Sequence, residues 1–139
     1  MEEKFKICRC ILVAKPYYMY TYNFEKLEVW QLARKFVVKI YSATSIFPTE
    51  EKYGMVSQLR RAAISVCSNL AEGSSRSGLR DQLHFYNISY SSLMEVLNQL
   101  IISMDLGWIN SEQLKVFRSD LEILSAKIGA LRNSRKITS

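Results

Sequence analysis

Leu83, Tyr86, Tyr90, Leu93, Leu97, Leu100 and Met104 recur at alternating steps of three and four residues without a break. Only an α-helix brings side chains at that spacing onto one face, so the register predicts one long helix of about twenty-eight residues from near Leu79. A helix of this length with a single apolar stripe must bury that stripe against other helices. Two prolines and five glycines in 139 residues leave few breakers, so the rest of the chain can supply them.

The stretch Phe47 to Gly73, FPTEEKYGMVSQLRRAAISVCSNLAEG, is the predicted central helix. Thr49 after Pro48 is the expected cap, Glu50 and Glu51 suit the positive end of the helix dipole, and Gly73 is the expected stop. Val56, Leu59, Ala63, Val66 and Leu70 define its buried face. Ala62, Ala63, Ser65, Ser68 and Ala71 are small enough to admit close neighbours on two flanks. A polar stripe of Gln58, Arg61, Ser65, Asn69 and Glu72 runs along the remaining side, with Arg60 one step around.

Two further amphipathic segments flank this pair. The first is expected from about Phe24 to Ser45, capped by Asn23, with Leu27, Trp30, Ala33, Val37, Ile40 and Thr44 facing inward. Trp30 lies on that apolar register, which reads as core or subunit interface rather than as a platform for a nucleobase. Gly107 is the expected stop of the long helix, and Asn110 with Gln113 has capping-box spacing for the last one. That last helix carries Leu114, Phe117, Leu121, Leu124, Ile128 and Leu131. Four such helices joined by short turns predict an all-α, up-and-down antiparallel four-helix bundle over residues 24–132. Residues 1–23 are read as an N-terminal extension, disordered or mis-assigned at its start since Met19 could begin translation, and residues 133–139 as a basic tail.

A second lane on the long helix, Phe85, Ile88, Ser92, Glu95, Gln99 and Ile102, is polar in its middle. Half-buried polar groups need partners. Arg61 and Glu72 are eleven residues apart, roughly 16 Å along one helix axis, and cannot pair with each other. The expected arrangement is Arg60 or Arg61 with Glu95, with Gln58, Asn69, Ser92 and Gln99 completing the hydrogen bonds. Such a network would set helix register or subunit contacts; the alternative is that its arginines face nucleic acid.

The net charge is +6, a modest basic excess that favours an anionic partner. Cys8, Cys10 and Cys67 form neither an even disulfide framework nor a zinc pattern, which points to a reduced, cytoplasmic setting, with Cys67 as a core filler. The apolar run Ile7–Ala14 is too short to span a membrane, and Glu2 and Glu3 are wrong for a signal peptide. His84 is the only histidine and has no triad or ligand partners in the sequence. The Arg-x4-6-His spacing of HEPN-type ribonucleases is not met either, because Arg80 leaves three intervening residues and Arg76 leaves seven. Neither a Walker loop nor a dinucleotide fingerprint is present, and the reading is a protein without enzymatic activity, cofactor or metal.

The run SQLRRAAISVCSNLAEG, preceded by FEKLEVWQLARKF and FPTEEKYG and followed by SSLMEVLNQL, resembles the 23S ribosomal RNA intervening-sequence proteins from about Phe24 to Leu131. A related group, the accessory variability determinants of diversity-generating retroelements, consists of basic bundles that form rings beside a reverse transcriptase. The resemblance implies a four-helix bundle, a homopentamer, and association with RNA or DNA or with a protein such as a reverse transcriptase. Arg60, Arg61, Arg76, Arg80, Arg132, Arg135 and Lys136 are the candidate phosphate contacts. No base-reading aromatic sheet or cleft is visible, so sequence-specific recognition is not expected. The competing reading is a self-assembling protein-interaction module whose positive charge is incidental.

Overall fold

The computed structural model describes residues 19–135. Four helices carry the architecture: α1 (Glu28–Thr44), α2 (Met55–Ser75), α3 (Leu79–Asp105) and α4 (Ser111–Ser134). Short 3-10 turns occupy Asn23–Lys26 and Thr49–Glu51, and no strand occurs among the described residues. Neighbours in sequence are neighbours in space, and α4 closes the bundle against α1. Cross-links fix the directions: Ser65 and Ser89 of the α2/α3 pair meet Ser92 and Val66, while Lys39 and Glu28 of α1 meet Asp120 and Lys127 of α4. Both pairs are antiparallel, which makes this the expected up-and-down bundle.

The core follows the sequence periodicities on α2 and α4 and gains a lane on α3. On α1 it is rotated: Val29, Ala33, Phe36, Ile40 and Thr44 are buried, and the expected Leu27, Trp30 and Val37 are half-buried at its edge. Val56, Leu59, Ala63, Val66 and Leu70 of α2 are buried, as are Leu114, Phe117, Leu121, Leu124 and Ile128 of α4. On α3 the apolar register supplies Tyr86, Leu93 and Leu100, with Leu83, Tyr90, Leu97 and Met104 half-buried. A second α3 lane, Ser89, Ser92, Val96, Gln99 and Ser103, is just as deep. It faces α2, and small hydroxyl-bearing residues allow that approach because each can satisfy its own polar atom. The Ser89 hydroxyl donates to the Val66 carbonyl at 2.9 Å, and Ser103 donates to Gln99 one turn back at 2.7 Å.

Three helix boundaries differ from the sequence reading. Asn23 does not cap α1; it opens the 3-10 turn, and α1 starts only after Leu27. The Glu25 carboxylate accepts the Tyr22 N–H at 2.7 Å and the Gln31 side chain donates to the Glu25 carbonyl at 2.8 Å, which satisfies the break and turns Phe24 onto Trp30. Thr49 likewise opens a 3-10 turn rather than α2, whose cap position is Gly54. There the Glu51 carboxylate takes the Met55 N–H at 3.0 Å. Gly73 is not a stop but an interior residue of α2. A Cβ at Gly73 would lie 2.6 Å from Cε1 of Tyr86, so the glycine is there for close approach and not for a left-handed turn.

The α3–α4 turn follows its signals. Gly107 has φ +79°, the Trp108 N–H bonds back to the Ser103 carbonyl and the Gly107 N–H to that of Met104, a Schellman stop. Asn110 and Gln113 then exchange reciprocal hydrogen bonds of 2.8 Å as a capping box. No helix among the described residues is long and apolar enough to cross a membrane.

Candidate nucleic-acid interface

The antiparallel packing gathers four of the seven candidate basic residues at one end of the bundle. Arg76 sits in the turn after α2, Arg80 in the first turn of α3, and Arg132 and Arg135 at the end of α4. The turn is held by the Arg76 N–H to the Gly73 carbonyl and by the Gln82 side chain, which donates to the Arg76 carbonyl at 2.7 Å. Lys136 and the rest of the basic tail lie outside the described residues, as do residues 1–18 with Cys8 and Cys10.

Two of these guanidinium groups lie on aromatic rings of α3. Arg76 stands 4.7 Å from the Phe85 ring centroid and Arg132 stands 4.0 Å from that of Tyr90. Arg132 also donates to the Asn87 side-chain oxygen at 3.3 Å. Stacking orients a guanidinium while leaving in-plane N–H groups for another acceptor. Among the described residues every ion pair is made by a lysine, so the charge of these arginines is not cancelled by a carboxylate within salt-bridge distance. The Nε of Arg135 is buried without a hydrogen-bond partner among the described residues. Burial pushes the Tyr86 phenol up from its ordinary pKa, and the nearby Arg135 charge draws it part of the way back.

Arg60 and Arg61 belong to the other half of the molecule. Fifteen residues separate Arg61 from Arg76 on α2 and the turn that follows it, roughly 22 Å at helical rise. Arg60 turns toward α1, where its Nε donates to Thr44 Oγ1 at 2.9 Å, its Nη2 to the Tyr41 carbonyl at 3.3 Å, and its plane lies 4.4 Å from the Tyr41 ring centroid. It therefore satisfies polar groups at the C-terminal end of α1 and forms no ion pair with Glu95. Arg61 is exposed and makes none either.

The expected polar network resolves into two smaller groups. Asn69 donates to the Ser65 carbonyl and hydroxyl at 2.8 and 3.0 Å, and the Ser65 hydroxyl meets that of Ser92 at 2.8 Å across the α2/α3 seam. Separately, Gln99 donates to Glu95 at 3.2 Å. Gln58 and Glu72 are exposed and take no part in either group. The basic end also contains Phe85, Asn87 and Tyr90; the sequence places Phe85 and Tyr90 on helical registers but does not mark them as arginine partners, because nothing local shows that Arg76 and Arg132 fold back onto them. Aromatics near the start of α3, beside an arginine-bearing turn, are the one signal that points their way.

Burial raises the Cys67 thiol from 9.0 to about 11 despite the Arg34 charge, which leaves it protonated and unreactive near neutrality. His84 is exposed beside Phe85, and no cluster of metal-ligating side chains occurs among the described residues.

An antiparallel four-helix bundle with an arginine-rich, aromatic-backed end is the class that the fold and this surface define. The chain belongs to the 23S rRNA-intervening sequence protein family, which matches residues 25–130. A solved protein of unknown function from the S23 ribosomal protein family of Bacteroides thetaiotaomicron shares the fold, with a TM-score of 0.70 at 20% identity over 76% of this chain and 95% of that one. Among curated proteins none matches the chain.

Proposed function

We propose that this protein is a non-catalytic, self-assembling bundle that holds RNA or DNA by its phosphates through the arginine-rich end, without reading base sequence. The observation that carries this reading is the pairing of Arg76 with Phe85 and of Arg132 with Tyr90, which holds two guanidinium groups oriented and uncancelled beside Arg80 and Arg135. Oriented donors lose less side-chain entropy when a phosphate arrives, and phosphate contacts of this kind are indifferent to sequence. The family's association with intervening sequences of ribosomal RNA supports an RNA partner. Assembly, as the homopentamer that the family resemblance implies, would repeat the basic end and multiply weak contacts into retention.

The test is a titration of the protein into labelled structured RNA and duplex DNA at low and physiological salt. Binding should weaken steeply with salt, and the Arg76→Ala/Arg132→Ala double variant should lose affinity on both ligands and reduce the log–log salt slope by about two. Arg60→Ala should bind normally. Salt-insensitive binding, or an unchanged slope in the double variant, would remove this end as the interface.

One observation favours the protein-docking alternative. Val38 of α1, Ile46 in the turn after it and Val116 of α4 are 63%, 71% and 59% exposed around a shallow groove floored by Ala43 and Phe117. This apolar cluster is a candidate seat for another polypeptide, such as the reverse transcriptase implied for related bundles. Absence of nucleic-acid binding at physiological salt would favour it.

A further inference from the structure

One side of the bundle, formed by the outer faces of α2 and α3, carries both signs of charge with no ion pair between them. Arg61 and Ile64 are exposed on α2, and Glu95 and Ile102 are exposed on α3. The hydrogen bonds from Ser65 to Ser92 and from Ser89 to Val66 set the register of the two antiparallel helices. One turn farther along, that register brings Arg61 level with Glu95 across the seam. Oppositely charged residues level on neighbouring helices would be expected to close on each other, yet none of the ion pairs among the described residues includes either.

Glu95 is not a loosely solvated carboxylate. Its Oε1 is held at 3.2 Å by the side-chain amide of Gln99, which is only 4% exposed, so the group is anchored from beneath while remaining at the surface. Ile64 and Ile102, 41% and 38% exposed, add apolar surface to the same side. A nucleic acid would be attracted by Arg61 and repelled by Glu95. A surface that presents both members of an ion pair together with exposed isoleucines is instead complementary to itself.

We infer that this side is the contact between copies of the chain, with Arg61 of one copy donating to Glu95 of the next. Arginine and a preoriented carboxylate form the strongest of the side-chain ion pairs when their geometry is fixed in advance, and Gln99 fixes one half of it. The proposal rests on the self-assembly part of the function proposed above and uses nothing from its nucleic-acid part.

The test uses the full chain and two charge reversals, Arg61→Glu and Glu95→Arg, purified separately and checked for helicity by circular dichroism. Sedimentation equilibrium at micromolar concentration should show an assembled wild type and at least tenfold weaker association for each variant alone. Equimolar mixing of the two variants should give tighter association than either variant alone, because each presents the sign that the other lacks, although a ring of five retains one like-with-like contact. Should a reversal prevent folding, Arg61→Gln and Glu95→Gln remove the pair without repulsion, and each should weaken association several-fold. A monomeric wild type would overturn self-assembly itself. An assembled wild type with both single variants at full strength would overturn only this interface. Recovery in the Arg61→Glu/Glu95→Arg chain with no strengthening at all in the mixture would place the pair within one molecule and likewise overturn it.

Discussion

Along the α2/α3 seam, Gly73 receives the Tyr86 ring and the hydroxyls of Ser65, Ser89 and Ser92 bond across the interface, so two backbones lie close together with these hydroxyls satisfied. Across the bundle, the α1/α4 seam is spanned by Lys39 to Asp120 at 2.7 Å and Lys127 to Glu28 at 3.1 Å, and it leaves a groove between Val38, Ile46 and Val116. The first seam is the tightest in the bundle and the second the loosest. Steric fit in a buried seam tolerates no added atom, whereas solvated ion pairs between long side chains contribute little and give way easily. The difference teaches that α2 and α3 are locked by steric fit, whereas α1 and α4 are joined at their surface by solvated side chains.

The most severe way to break this contrast is at Gly73. Gly73→Val should destabilise the fold by about 3 kcal/mol, because a branched side chain must displace Tyr86 in a seam with no spare volume. Chemical denaturation would show it as a lower midpoint at unchanged slope.

A smaller effect concerns Cys67, on the α2 side facing Arg34. Its thiol titrates near 11 in the fold against 9.0 when free, so between those values the unfolded chain has lost a proton that the native chain keeps. Stability should therefore be complete below about pH 9 and fall as pH rises toward 11. Cys67→Ala should fall less over the same interval, as measured by thermal melts across alkaline pH.

The smallest effect belongs to the loose seam. Lys39→Ala removes a half-exposed ion pair and should cost no more than about 0.5 kcal/mol, with even that difference shrinking in high salt. A cost comparable to that of Gly73→Val would erase the distinction between the seams.

Helices and their order are legible in the sequence because three-four periodicity is a local property, and the α3–α4 turn is legible because Gly107, Asn110 and Gln113 act on their own neighbours. Gly73 reads as a stop because a stop and a close approach require the same residue, and only the position of Tyr86 separates them. The buried serine lane of α3 looks merely polar in sequence because burial of a hydroxyl depends on a carbonyl supplied by α2. Arg60 and Arg61 are adjacent in the chain and alike in chemistry. One helical step of about 100° sends the first to α1 and leaves the second in solvent. The arginine-rich end is a product of topology, since Arg76 and Arg132 are brought to Phe85 and Tyr90 by different helices.

The two tryptophans occupy opposite ends. Trp30 packs edge-on against Phe24 with Arg34 near its ring, while Trp108 lies against Phe47 in the α3–α4 turn. Each indole therefore has its own set of neighbours, separated by roughly the 25 Å length of α1. The molecule carries its own pair of optical gauges: single-tryptophan variants can report separately on the arginine-rich end and on the far turn, with no label attached.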